Sequence, residues 1–115
     1  MKNKLNIIYM GSGLYGSTVL NELDNTQIDI KAIYVKSKQI ISRKSKSVSF
    51  FQEYNNDIRL HRISRFSESD IKMIETFAPD LILVASFGLI LPDSILKIPT
   101  YGVINIHPSL LPKYR

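Results

Sequence analysis

Residues 5–16 read LNIIYMGSGLYG, and this stretch decides the fold class. Its first six residues are apolar apart from one asparagine, which is typical of a strand buried on both faces of a parallel sheet. Glycines follow at once, and the apolar residues Leu14, Val19, Leu20 and Leu23 then fall roughly on one face of a helix. A buried strand that turns through glycines into an amphipathic helix predicts the first unit of an α/β fold.

The same alternation of apolar runs and helical patterns continues along the chain. Ser67 and Asp70 have the spacing of a capping box, which predicts the start of a helix that ends at Ala78-Pro79-Asp80. The pattern predicts a Rossmann-like, doubly wound, mostly parallel α/β sheet with helices on both faces. Further strands are expected at residues 28–35, 59–63, 81–85 and 102–107, and further helical segments at 14–23, 48–54 and 92–96.

Length and composition narrow the class of protein. The 115 residues suffice for one domain with a real core, and a hydrophobic content of 44% argues against disorder. The chain has no cysteine, which excludes disulfides, a thiol nucleophile and a cysteine-ligated metal. No stretch resembles a signal peptide or a membrane span, so we expect a cytoplasmic protein with no membrane partner and no metal.

The glycines of the first turn raise the question of a dinucleotide. Gly11, Gly13 and Gly16 have the spacing G-x-G-x-x-G, which after a strand is the fingerprint of dinucleotide binding. That reading also needs an Asp or Glu at the end of the second strand, where this chain has Val35-Lys36-Ser37-Lys38. The missing acid argues against an NAD site, while the lysines at this position leave an NADP site possible. We expect no NAD(P) and assign the glycines to a tight strand-to-helix turn.

The net charge of +5 is concentrated in one segment. Residues 36–46 read KSKQIISRKSK and contain no acid. Charge alone leaves two readings open, a solvated basic loop and a surface that contacts a polyanion such as RNA. The candidate nucleic-acid contacts are Lys36, Lys38, Arg43, Lys44 and Lys46.

The end of the chain carries the candidate chemistry, in residues 101–115, YGVINIHPSLLPKYR. Asn105 and His107 lie two apart and therefore on one side of a strand, at the carboxyl end where ligands bind in open α/β sheets. Histidine acts as an acid, a base or a cationic donor near neutral pH. A polar pair on a buried central strand is costly without a function, so both are candidate catalytic residues. The alternative is a hydrogen-bonded core pair, and His61 is assigned that structural role.

The motif N-x-H-x-S-L-L-P at residues 105–112 resembles the central motif of the folate-dependent formyltransferases. Residues 85–92 (ASFGLILP) and 98–102 (IPTYG) resemble the members of that family that act on methionyl-tRNA. The order and spacing of these segments agree along the whole chain.

The resemblance implies formyl transfer from 10-formyltetrahydrofolate to the amino group of initiator methionyl-tRNA, with the basic segment against the tRNA. It implies that Asn105 and His107 stabilise the oxyanion. Folate would be bound by Phe87, Gly88, Leu89, Ile90, Leu91, Ser109, Leu110, Leu111 and Pro112.

The chain also departs from that family. A catalytic Asp that the family carries further along has no counterpart here, since Asp80 and Asp93 precede the motif. We therefore expect residues 1–115 to be the N-terminal part of a formyl transferase domain, without the downstream strands and the C-terminal domain. Such a chain would have little activity alone, unless a second polypeptide supplied the missing half. The alternatives are a glycinamide ribonucleotide or sugar-nucleotide formyltransferase, a non-catalytic remnant that binds folate or RNA weakly, and an NADP-binding domain.

Overall fold

The computed structural model describes residues 4–37, 54 and 56–107, which form a parallel sheet with helices on both faces. The predicted strands and helices are confirmed within one or two residues, and the predicted helix at 48–54 lies outside the described residues apart from Tyr54. The elements in chain order are β1 (Leu5–Gly11), α1 (Gly13–Glu22), β2 (Ile28–Lys36), β3 (Leu60–Ile63), α2 (Glu68–Phe77), β4 (Leu81–Ala85), α3 (Asp93–Leu96) and β5 (Val103–Ile106).

The strand order places the switch point of the sheet next to the first turn. The order is β3-β2-β1-β4-β5, and every neighbouring pair is parallel. From β1 the chain winds outward through β2 to β3, and then returns to the other side of β1 as β4. Ligands of open α/β sheets bind beyond the carboxyl ends of the strands at such a reversal. The fold therefore predicts a ligand site at the carboxyl ends of β1 and β4.

Two hydrophobic clusters cover the two faces of the sheet. On one face α2 and α3 contribute Ile74 and Ile95, and on the other face α1 contributes Leu20. Both clusters are built from alternate residues of the same central strands, which explains why β1 reads as a nearly continuous apolar run. The first cluster includes Ile8, Met10, Ala32, Tyr34, Ile82, Val84 and Phe87, and the second includes Tyr9, Ile30, Ile33, Val35 and Ala85.

The helix α2 begins and ends as the sequence predicts. The Ser67 hydroxyl accepts a hydrogen bond from the backbone N–H of Asp70 at 3.1 Å, and the Asp70 carboxylate accepts one from the backbone N–H of Ser67 at 2.8 Å. This reciprocal pair is a capping box, which satisfies amide groups at the start of the helix. Ala78 adopts the left-handed conformation at φ 49°, and Pro79 follows, so the helix ends there and β4 begins.

Candidate functional site

Close packing at the end of β1 explains the spacing of the glycines. A Cβ added at Gly11 would lie 2.8 Å from the carbonyl oxygen of Ala85, and one added at Gly16 would lie 3.1 Å from the same oxygen. Gly13 has a φ of 67°, a conformation that residues with a side chain rarely adopt. Gly11 and Gly16 therefore let β1 and α1 approach the end of β4, and Gly13 permits the turn between them. Packing and the tight turn account for the fingerprint without a bound dinucleotide.

Asn105 and His107 lie at the carboxyl end of β5, next to the end of β4. The register pairs Asn105 with Val84 and Ile106 with Ala85, so His107 follows at the level where the loop after β4 begins. Both side chains are exposed, and β5 is the last strand of the sheet among the described residues. The sequence predicts that this strand is central and that its polar pair is buried, and the described residues show neither. The cost of burial therefore does not apply to the pair in this structure.

The loop after β4, residues 86–91, has an unusual backbone. Ser86 has a φ of 58° and Gly88 a φ of 86°, so two left-handed residues flank Phe87. Phe87 is 2% exposed and belongs to the core, and Leu89 and Leu91 pack against that core. Of the five residues predicted to line a folate site in this loop, only Gly88 and Ile90 are exposed, Ile90 to 93%. The loop thus presents its backbone and one apolar side chain.

Ser12 follows β1 at the carboxyl-end side of the sheet, and the sequence did not reveal its contacts. Its hydroxyl donates a hydrogen bond to the carbonyl oxygen of Phe87 at 3.1 Å and accepts one from the backbone N–H of Lys36 at 3.1 Å. The sequence places a serine at the start of a helix, where it normally caps. The partners of Ser12 come from segments 24 and 75 residues away, and no local pattern predicts them.

Lys36 is the one candidate RNA contact that the structure describes. It is exposed at the end of β2, and its Cδ lies 3.2 Å from the position that a Cβ on Gly88 would occupy. The start of the basic segment therefore touches the loop after β4. The other candidate contacts, Lys38, Arg43, Lys44 and Lys46, and the candidate folate residues Ser109, Leu110, Leu111 and Pro112 lie outside the described residues.

His61, to which the sequence assigns a hydrogen-bonded core role, is half-buried and has a structural role of another kind, ring stacking. The His61 ring stacks on Tyr34 with a centroid distance of 4.7 Å and an angle of 17° between the ring planes. Tyr34 in turn contacts Phe66 at 5.9 Å between centroids, and Phe66 contacts Phe87 at 6.1 Å. This row of rings runs from β3 to the loop after β4. It supports that loop from the core side.

The buried acid Asp80 and one open cavity lie away from the carboxyl ends of the strands. Asp80 is buried at the opposite end of the sheet, where its carboxylate accepts a hydrogen bond from the backbone N–H of Asn6 at 2.7 Å. An open cavity of about 530 Å³ between the C-terminal end of α2 and α3 also lies toward that opposite end. Within residues 4–37, 54 and 56–107 there is no group of three or more metal-binding side chains. The same residues contain no helix long and apolar enough to span a membrane.

Comparison with known proteins gives a consistent result. The chain is 35% identical to the methionyl-tRNA formyltransferase of Anaplasma marginale (strain St. Maries) and 38% identical to that of Wolbachia pipientis subsp. Culex pipiens (strain wPip). Each match covers 96% of this chain and 38% of the relative, so the chain spans well under half the length of these relatives. The family model described as formyl transferase matches residues 3–115. The match extends over nearly the whole chain, and the chain therefore belongs to the formyl transferase family.

Proposed function

We propose that this protein transfers a formyl group from 10-formyltetrahydrofolate to the amino group of initiator methionyl-tRNA. The observation that carries the proposal is the register of β4 and β5. It brings Asn105, near the carboxyl end of β5, and His107, just beyond that end, to the same corner of the sheet as the loop at 86–91. The relatives named methionyl-tRNA formyltransferase support this choice of acceptor.

Asn105 and His107 have the chemistry that acyl transfer needs. The amine of the acceptor forms a bond to the formyl carbon, and the bond from that carbon to the donor nitrogen breaks. Negative charge develops on the formyl oxygen during this exchange. The amide N–H of Asn105 and an imidazole N–H of His107 can donate hydrogen bonds to that oxygen. His107 can also take the proton that leaves the attacking amine and return it to the departing nitrogen.

The loop at 86–91 is suited to hold a flat, polar donor by its backbone. The left-handed residues Ser86 and Gly88 turn successive peptide groups in different directions, and both residues are exposed. A heterocycle edge rich in donors and acceptors can pair with such peptide groups. The exposed side chain of Ile90 would cover an apolar part of the donor. The loop therefore fits a folate by hydrogen bonds from the main chain and by apolar contact.

The basic segment from Lys36 to Lys46 is suited to the phosphates of the acceptor. It carries five cationic residues and no acid. Lys36 already lies against Gly88 in the candidate donor loop, so a polyanion on this segment would lie close to the donor. Contacts of this kind weaken as the salt concentration rises.

The test is formyl transfer by the full-length product of the gene that encodes this chain. With 10-formyltetrahydrofolate as donor, we expect formylation of methionyl-tRNA and none of glycinamide ribonucleotide or a sugar-nucleotide amine. The chain has two histidines, which gives a matched control. His107→Ala should abolish most of the activity, whereas His61→Phe, which keeps a ring on Tyr34, should retain it. Activity with another amine in place of methionyl-tRNA would replace the acceptor in this proposal.

A further inference from the structure

The side chain of Ser12 is at the start of α1 but does not cap that helix. Ser12 occupies the N-cap position with an extended backbone, φ −151° and ψ 156°, and its hydroxyl makes no capping hydrogen bond. A serine there ordinarily accepts from the N–H of one of the first helical residues and stabilises the helix. The first turn of α1 also contains no acidic residue. The hydrogen-bond partners of the hydroxyl therefore lie outside the helix.

The Ser12 hydroxyl instead joins the ends of three neighbouring strands. Ser12 itself follows β1, the donor N–H belongs to Lys36 at the end of β2, and the acceptor carbonyl belongs to Phe87 just beyond β4. These strands are adjacent in the sheet, and the reversal of winding falls between β1 and β4. The bond from Ser12 to Phe87 therefore crosses the switch point, where ligands of this fold class bind.

The carbonyl that accepts the Ser12 hydrogen bond belongs to Phe87, in the middle of the left-handed part of the loop. Phe87 lies between the two left-handed residues of the loop, Ser86 and Gly88. Its side chain is anchored in the core, and its carbonyl is anchored by Ser12. With both fixed, the peptide that joins Phe87 to Gly88 has one orientation. Without the hydroxyl, the core anchor alone would leave that peptide free to rotate.

We propose that Ser12 is a positioning residue for the formyl donor, which acts by fixing the peptide between Phe87 and Gly88. This inference rests on the proposed function, because it assigns the loop at 86–91 to the donor. It adds that affinity for the donor depends on a hydroxyl in the glycine turn after β1. The groups that carry out the chemistry should not sense that hydroxyl. The acceptor should sense it little, because Lys36 is one of five candidate tRNA contacts and its strand pairing with Ile63 stays in place.

The first arm of the test is steady-state kinetics of the full-length protein. Ser12→Ala should raise KM for 10-formyltetrahydrofolate about tenfold, with kcat at saturating donor and KM for methionyl-tRNA changed less than twofold. Ser12→Thr, which keeps the hydroxyl, should restore KM for the donor. Ser17→Ala is the matched control, because it also removes a serine-to-carbonyl hydrogen bond, from Ser17 to Leu14 at 3.1 Å, on the same helix. Ser17→Ala should leave both KM values unchanged.

The second arm needs no activity and separates this inference from the proposed function. Hydrogen–deuterium exchange of the peptide covering residues 86–91 should be faster in Ser12→Ala and unchanged in Ser12→Thr and Ser17→Ala. If Ser12→Ala does not fold, the isosteric pair Ser12→Thr and Ser12→Val replaces it. Absence of formyl transfer by the parent protein would refute the proposed function, and exchange would still test the anchoring of the loop. Unchanged exchange, or an unchanged KM for the donor in an active enzyme, would overturn the role of Ser12.

Discussion

The hydroxyl of Tyr9 donates a hydrogen bond to the backbone carbonyl of Gly16, and this bond joins the centre of β1 to the first turn of α1. Tyr34 on the neighbouring strand is equally buried, yet its hydroxyl has no hydrogen-bond partner among the described residues. Burial raises the pKa of both phenols, that of Tyr34 to about 12. Both side chains therefore stay neutral over the physiological range of pH. The two tyrosines differ mainly in whether burial of the hydroxyl is compensated.

This difference predicts opposite effects for the same substitution. Tyr9→Phe should lower the free energy of unfolding by about 1–2 kcal/mol, because a satisfied buried hydrogen bond is lost. Tyr34→Phe should leave it unchanged or raise it by up to about 1 kcal/mol, because a buried hydroxyl without a partner is removed. Urea unfolding of both variants measures the contrast. A clear loss of stability in Tyr34→Phe would mean that the hydroxyl has a partner.

The glycines of the first turn give a second pair of variants. Gly11→Ala should lower the free energy of unfolding by about 2 kcal/mol, because its Cβ would lie 2.8 Å from the Ala85 carbonyl, which is backbone and cannot swing away. Gly16→Ala should cost less. Its Cβ would meet the same oxygen and two backbone carbons of Gly11 at 3.1–3.2 Å, a milder overlap, and alanine in a helix regains about 1 kcal/mol of propensity. Thermal denaturation measures both, and equal losses would contradict the steric reading.

Local patterns were sufficient for the elements that depend on local chemistry. Residues 81–85 are an unbroken apolar run, and the strand has those bounds. The capping box of Ser67 and Asp70 formed as predicted, because its two partners are three residues apart. Such features need only the residues that the pattern contains, so the sequence alone specifies them.

Contacts between distant segments were beyond those patterns. The bond from Ser12 to Phe87 joins residues 75 apart, and it exists because the strand order places β1 beside β4. Phe87 is predicted to line a cofactor site; its apolar side chain belongs to the core, so only its backbone is left to meet a ligand. Periodicity does not say whether an apolar residue in a loop faces the core or a ligand. The position of β5 within the sheet is equally a property of the whole order of strands.

The catalytic assignment predicts a separation of kcat from donor binding. Asn105→Ala and His107→Ala should each lower kcat of the full-length protein by 10²-fold or more, the size of effect seen when one oxyanion donor is lost. The dissociation constant for 10-formyltetrahydrofolate should change less than threefold, because these hydrogen bonds strengthen only as charge develops. Neither side chain belongs to the core of the described residues, so the substitutions remove no packing from that core. Equal losses in kcat and in donor affinity would make them binding residues instead.

Acid should weaken the anchor of β3 through one ion pair. The guanidinium of Arg59 forms a two-pronged pair with the carboxylate of Asp57 and also donates to the carbonyl of Ile30 at 3.2 Å, which ties the start of β3 to β2. The hydrogen bonds from Arg59 lower the pKa of Asp57 from 3.8 to about 2. A carboxyl whose pKa falls on folding stabilises the folded state above its unfolded pKa, and that contribution is lost as the pH falls toward the folded value.

Because the pair is partly exposed, with 23% of the Asp57 and 41% of the Arg59 side chain accessible, Asp57→Asn should cost only about 1 kcal/mol at pH 7. The difference from the parent protein should shrink between pH 3.8 and about 2, when urea unfolding is followed against pH. Asp29→Asn breaks the exposed pair with Lys31 and is the control, for which we expect less than about 0.5 kcal/mol. A cost of Asp57→Asn that stayed constant down to pH 2 would show that the charge of Asp57 does not stabilise this anchor.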